Sequence, residues 1–254
     1  MFEFKKEDRL GIISMNKAPA NSYDIHFFNE FEKILNTIEV DSDIAVVLLK
    51  SAIPKFFSAG ADIKVFQSNT AEQNKEMVVM ANKIANQISK SSKIFVAFLN
   101  GHTLGGGLEL ALACDIRLSS NKKFLLGLPE VKLGLMPGNG GIPRLVNAVG
   151  ISKAFELVVS GNNMDSQEAY RNGLVNQLFD EEKSEEQAFE YAVNLSKGPK
   201  KAMAAIKQTF SDGIGKSLGD FLKLEKEKVN TLYDTYDAKE GFLAFVEKRT
   251  PEFE

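Results

Sequence analysis

The run Asp43-Ile44-Ala45-Val46-Val47-Leu48-Leu49 constrains the fold of this chain more than any other segment. After Asp43 it has no polar alternation, so neither face of an extended strand could lie against water, and the strand has to be covered on both sides. Leu10 to Met15 (LGIISM) reads as a second strand. Between the two, Phe28, Phe31, Ile34, Leu35 and Ile38 recur at helical spacing over 27–38. A strand–helix–strand opening of this kind builds a parallel sheet. The alternation continues with a helix over Ala71–Lys90, where Met77, Met80, Ile84 and Ile88 form the core stripe, and a buried strand over Lys93–Leu99. Leu108–Ala113 reads as a short apolar helix and Asp115–Ser119 and Phe124–Leu126 as strands. A further helix opens at Gly140-Gly141-Ile142-Pro143, with the proline near the first turn, where its missing N–H costs nothing. From Ser152 onward the pattern is almost wholly helical, over 152–159, 166–172, 184–197, 199–211, 217–233 and 238–248. Residues 1–195 therefore form the expected α/β core and 196–254 a helical region. Late helices such as 217–233 carry more apolar residues than one core face needs, so the second region is expected to pack against neighbouring subunits.

Composition removes several function classes. The chain of 254 residues is 44% hydrophobic and 26% charged, ordinary for a packed globular protein. No apolar run approaches the roughly 20 residues that span a bilayer. The segment Met1 to Asp8 carries acids early and lacks an apolar signal core, so the cytoplasm is the expected compartment. A net charge of −3 without an aromatic-laced basic stripe argues against nucleic acid as a partner. The single cysteine, Cys114, lies in the apolar run Ala111–Cys114 and reads as a small buried hydrophobe. There is no Cys/His spacing suited to a metal, so no metal is expected. Neither G-x-G-x-x-G nor G-x-x-x-x-G-K-[ST] occurs, which removes the usual nucleotide-binding oxidoreductases. His26 and His102 lack an acid or nucleophile in their segments and read as structural or surface residues.

Two glutamates stand beside glycine clusters. Glu109 follows Leu104-Gly105-Gly106-Gly107-Leu108, and Glu130 follows Gly127-Leu128-Pro129, shortly before Pro137-Gly138-Asn139-Gly140-Gly141. Glycine runs admit a ligand close to the backbone and leave amide N–H groups free for a developing anion. A carboxylate beside such a run is a candidate acid or base. The loops Phe56–Lys64 and Asn100–Gly107 each follow a buried strand, and ligands bind where loops leave the carboxyl ends of parallel strands. The backbone N–H groups of Ala61 and Gly106, one per loop, are placed to converge on one oxygen. Glu109 on a surface helix would be a solvated charge, but its neighbours Leu108, Leu110 and Ala111 point to burial. Asp62 and Asp115 read as caps that hold loops and helix ends.

The strings SAGADIK and HTLGGGLELALACD, followed by LPEVKLGLMPGNGG, resemble the crotonase (enoyl-CoA hydratase/isomerase) family over nearly the whole chain, to AFVEKR at Ala244–Arg249. The resemblance implies a spiral of ββα units with a helical C-terminal region, and a trimer or dimer of trimers. It implies an acyl-CoA thioester as substrate, no cofactor, an oxyanion hole from the amides of Ala61 and Gly106, and catalytic Glu109 and Glu130. The CoA moiety is expected along Ala59, Ala61, Asp62, Ile63 and Lys64, with the amides of 61–64 and the Lys64 ammonium facing the mouth. Phe245 and Lys248 are expected at a neighbour's CoA site. In the hydration this implies, Glu109 takes a proton from water. Glu130, protonated because two close carboxylates raise one pKa, delivers a proton to the α-carbon. The rivals are an isomerase or another crotonase-type lyase or decarboxylase, against which the paired glutamates count, and a non-catalytic acyl-CoA or RNA-binding scaffold. Asn21–His26 carries bulkier side chains than the family's usual asparagine-leucine segment. Asn139 is a candidate to hydrogen-bond a polar acyl group, and Phe66 a candidate limit on chain length.

Overall fold

In the computed structural model, which describes residues 1–254, the chain opens with the antiparallel strands β1 (Phe2–Glu7) and β2 (Leu10–Met15). Helix α1 (Ile25–Val40) leads to β3 (Val46–Ser51), β4 (Phe56–Ser58), α2 (Ile63–Ser68) and α3 (Ala71–Lys90). The next turn of the spiral is β5 (Ile94–Leu99), β6 (His102–Leu104) and α4 (Gly106–Ala113). The third is β7 (Ile116–Ser120), β8 (Leu125–Gly127), a 3-10 turn at Pro129–Leu133, α5 (Gly141–Val149) and α6 (Ile151–Ser160). Strand β9 (Asn163–Asp165), α7 (Ser166–Arg171), β10 (Gln177–Phe179) and α8 (Ser184–Ser196) follow. Helices α9 (Lys200–Gly213), α10 (Leu218–Asn230) and α11 (Tyr236–Glu247) complete the chain. No helix is long and apolar enough to cross a membrane.

Six strands form one sheet in the order β1-β2-β3-β5-β7-β10, parallel from β2 onward, and four short strands form a second in the order β4-β6-β8-β9. Each spiral turn thus contributes one long strand to the first sheet, one short strand to the second, and then a helix. The apolar run is covered on both faces, as its composition requires. Val47 and Leu49 join Ile13, Met15, Phe95 and Ala97 in the larger core, while Val46 and Leu48 face the other way with Ile12, Val96 and Phe98 beneath Ala188 and Ala192 of α8. Helix α1 starts where Asp24 accepts from the Phe27 amide at 2.8 Å, a cap worth about 1 kcal/mol. It buries Phe27, Phe28, Phe31, Leu35 and Ile38; each large side chain so buried stabilises by roughly 1.5–3 kcal/mol.

The differences from the sequence-based expectation are short elements. The apolar face of strand β1 is only Phe2 and Phe4, and β4, β6 and β9, three residues each, are too short to carry a period. Strands β9 and β10 interrupt the region read as wholly helical, and β10 pairs with β7 as the sixth strand of the large sheet. Both glycine-bearing loops are built on this second sheet, because β4 and β6 are its first two strands.

The residues after 195 are tied to the core by Arg9, which donates to the carbonyls of Gly198, Phe253 and Glu254, and by a buried lysine. Lys207 on α9 is buried, and its Nζ donates to the carbonyls of Ile88 and Lys93 and to Asp115 Oδ2, each at 2.8 Å. Asp115 also accepts from the Phe95 amide, so it fastens a loop rather than doing chemistry. Burial, more than its ion pair offsets, keeps the Asp115 carboxyl above its ordinary range. Lys207→Met is expected to lose about 3–5 kcal/mol in denaturant unfolding, because it leaves that carboxylate buried and unpaired. Lys207→Met/Asp115→Asn should recover part of the loss, and equal stability of wild type and single variant would refute the anchoring role.

Candidate active site

The loop after β4 turns at Gly60, whose φ of +82° is strained for any residue with a Cβ. The Ser58 hydroxyl accepts from the Gly60 amide at 3.1 Å, and the Gly60 carbonyl accepts from the Tyr23 amide at 2.9 Å. Asp62 N–H donates back to the Tyr23 carbonyl at 3.0 Å, so Tyr23 brackets Ala61 in a parallel bridge. The Ala61 amide itself donates to no protein acceptor. The same holds for the amide of Gly106, the first residue of α4, whose N–H has no intrahelical partner. A Cβ placed on Gly60 would lie 2.8 Å from Gly106 N, so the two loops meet at van der Waals limits. The two loops that carry these unspent amides therefore lie against each other.

Glu109 sits one turn into α4 and is only 2% exposed. Its Oε1 accepts from the amides of Asn139 at 2.7 Å and Gly141 at 2.9 Å, at the opening of α5. Its Oε2 makes no hydrogen bond to protein. Glu130 enters from the 3-10 turn after β8; a Cβ on Gly105 would lie 3.1 Å from its Oε1, and its Oε2 is buried without a partner. Burial raises the Glu109 carboxyl above its usual range, opposed by the two amides and by the charge of Arg144. Only its own backbone N–H opposes the shift at Glu130: burial first, with the charge of Glu109 adding to it, pushes the carboxyl to about 7. Desolvation outweighs repulsion between the pair, and the two carboxyls differ in the amides that meet them.

The other predicted residues are placed as follows. Ala59 donates to the Ala20 carbonyl at 2.9 Å, joining its loop to the segment between β2 and α1. Asp62 caps α2 by accepting from the amides of Lys64 and Val65 at 3.1 and 3.4 Å. That corrects the expectation that all four amides from 61 to 64 face a ligand: those of Asp62 and Lys64 are spent, leaving Ala61 and Ile63. Ile63 and Lys64 are exposed beside the site. Phe245 and Lys248 lie on and at the end of α11, where Phe245 is exposed; no hydrogen bond joins either to the cluster within the protomer. His102 Nδ1 accepts from the Leu125 amide and joins β6 to β8, and His26 is exposed beside Glu30. Burial pushes the Cys114 thiol up to about 12, which leaves it inert.

Tyr23 escapes a reading of the glycine and glutamate pattern; the available signal was an aromatic residue two positions after Asn21. Tyr23 is 5% and Asn139 7% exposed, and Asn139, expected as a donor to a polar acyl group, donates its Nδ2 to the Tyr23 hydroxyl at 3.1 Å. Asn139 is fixed in turn by Arg144, which donates to its carbonyl at 2.9 Å, and its loop is tied to α3 by Asn82, which donates to the Gly138 carbonyl at 2.7 Å.

The enoyl-CoA hydratase/isomerase family profile matches residues 5–254. A short-chain-enoyl-CoA hydratase of Clostridium acetobutylicum is 33% identical over 247 residues, which cover 96% of this chain and 94% of that protein. The crystal structure of an enoyl-CoA hydratase from Geobacillus kaustophilus superposes with a TM-score of 0.96 at 38% identity, covering 100% of this chain and 96% of that one. The corresponding Bacillus anthracis structure gives 0.95 at 34% identity, covering 99% and 98%.

The raised Glu130 carboxyl has a consequence for folding that does not depend on substrate. Because it titrates near 7 when folded, against an ordinary 4.5, the folded state holds this proton more tightly than the unfolded chain. Folding is therefore penalised progressively as pH rises from 4.5 to about 7, and the full penalty stands above that. Glu130→Gln removes it, so the variant's melting temperature should exceed wild type by a few degrees at pH 8 and much less at pH 5. An equal difference at both pH values would show that the carboxyl is unperturbed.

Proposed function

This chain belongs to the enoyl-CoA hydratase/isomerase family of enzymes, and from that premise we propose that it adds water across the 2,3 double bond of a 2-enoyl-CoA thioester. The observation that carries the reading is the unlike environment of two adjacent buried carboxylates: two backbone amides oppose the raised pKa of Glu109, while Glu130 lacks them and is pushed to about 7. A thioester carbonyl accepting from the Ala61 and Gly106 amides leaves the β-carbon electron-poor. Each such donor is worth roughly 2.7–4 kcal/mol where charge develops. Water on the free Oε2 of Glu109 loses a proton to that carboxylate as its oxygen bonds to the β-carbon. The electron pair of the double bond moves into the enolate, whose α-carbon then takes the proton of Glu130. Exchange with solvent returns Glu109 to the anion and Glu130 to the acid. The amides at the start of α5 hold the Glu109 charge without a cation in contact with it.

In this reading the reaction needs no cofactor beyond the CoA of its substrate. The acyl-CoA lies along Ala59, Ala61, Asp62, Ile63 and Lys64, with Lys64 as a phosphate partner. Residues 196–254 form the surface through which subunits assemble into a trimer or a dimer of trimers, with Phe245 and Lys248 reaching a neighbour's CoA. What supports the assembly is an apolar belt: Phe210, Leu218, Phe242, Phe245 and Val246 are all exposed.

Glu109→Gln and Glu130→Gln should each slow hydration of a short 2-enoyl-CoA by roughly 10²- to 10⁴-fold, read as loss of the conjugated thioester absorbance, while thioester binding survives. Wild-type turnover should fall as pH rises through about 7, where Glu130 loses its proton. Should Glu109→Gln keep full activity while Glu130→Gln abolishes only the double-bond shift of a 3-enoyl-CoA, the enzyme is an isomerase. Sedimentation of the full chain at micromolar concentration should give a trimer or hexamer, and a monomer there would overturn the assembly.

A further inference from the structure

The glycine at position 106 is required by its neighbour as well as by its amide. A Cβ there would collide with the Tyr23 hydroxyl, which occupies the place of the missing side chain at the N-terminal opening of α4. The backbone of the same tyrosine brackets Ala61 on both sides. One residue therefore lies against both segments that carry the unspent amides. Its ring is locked among aromatics, with Phe28 at 4.6 Å and Phe27 at 6.4 Å between centroids, so the hydroxyl has little freedom to leave. Asn139 Nδ2 donates into the hydroxyl oxygen, and the hydroxyl proton reaches no protein acceptor. A buried O–H with its oxygen already satisfied and its proton unspent is a donor built for something else.

We propose that the Tyr23 hydroxyl, aimed by Asn139, is a third hydrogen-bond donor to the acyl-thioester oxygen, beside the amides of Ala61 and Gly106. This rests on the reading of those amides as the carbonyl site. Tyr23 makes its hydrogen bond without giving up its proton, because burial and the nearby charges of Glu109 and Glu130 hold the phenol far above its ordinary range. It adds no titration of its own at neutral pH. Asn139 is a positioning residue: its amide nitrogen holds Glu109 and its side chain holds Tyr23, so one residue sets the distance between the base and the third donor.

The test separates this proposal from hydration by using 3-oxobutanoyl-CoA, whose enolate absorbs in the near ultraviolet and forms without addition of water. Bound to the wild type, its acid midpoint should lie well below that in solution. Tyr23→Phe keeps the ring and removes the donor, so the midpoint should rise by about one to two pH units. Hydration kcat should fall about 10- to 100-fold with an unshifted pH profile, less than the roughly 10²- to 10³-fold for loss of a principal oxyanion donor because two amides remain. Asn139→Ala, which keeps the hydroxyl but frees it, should move both quantities the same way by less. An unchanged enolate midpoint in a folded Tyr23→Phe, or in Asn139→Ala should the first variant not fold, overturns the proposal. If the wild type stabilises the enolate and Tyr23→Phe does so less, yet neither hydrates a 2-enoyl-CoA, the third donor stands and the hydratase reading falls.

Discussion

A carboxylate with 2% of its surface exposed has to be met by donors, and Glu109 sets most of what surrounds it. The amides at the start of α5 supply two, which fixes the path of Pro137–Gly141 and brings Asn139 under the base. Arg144, one turn into α5, closes that path by holding the Asn139 carbonyl and adds a positive charge at a distance. The glycines of the loop follow from the same demand: a Cβ on Gly141 would lie 2.8 Å from Glu109 Cγ. Helix α5 can approach only because that position has no side chain.

The unequal treatment of the two carboxylates follows from what each is given. Glu109 receives two amides and a distant guanidinium; Glu130 receives burial and the Glu109 charge. The backbone thus makes the pair unequal. The donors that do so are helix termini and loops that are themselves pinned by the spiral, the kind of preorganised arrangement that lowers reorganisation when charge develops nearby.

Much of this could be read from the sequence, for physical reasons that also mark where reading fails. Strand β2 and helix α3 lie where their apolar spacing puts them, and β3 is shifted by a few residues from the run that announced it. Glu109, Glu130, Ala61 and Gly106 were marked by glycine clusters, and the fold brings all four together. Tyr23 was not marked, since nothing near it in the chain suggests that it lies over a glycine more than eighty residues away. The spent amides of Asp62 and Lys64 were hidden for the opposite reason, since the cap that consumes Lys64's amide is local but depends on one rotamer of Asp62. Of the second sheet only β8 was read, because three residues are too few to display a period.

The missing side chain of Gly106 and the hydroxyl of Tyr23 are one allotment of space, divided between two positions far apart in the chain. Room yielded at 106 is taken up at 23, so enlarging one residue is tolerable only if the other shrinks. The size and polarity of this corner are thus inherited jointly. Substitutions at 23 and 106 are therefore expected to be non-additive, since the two positions share one volume.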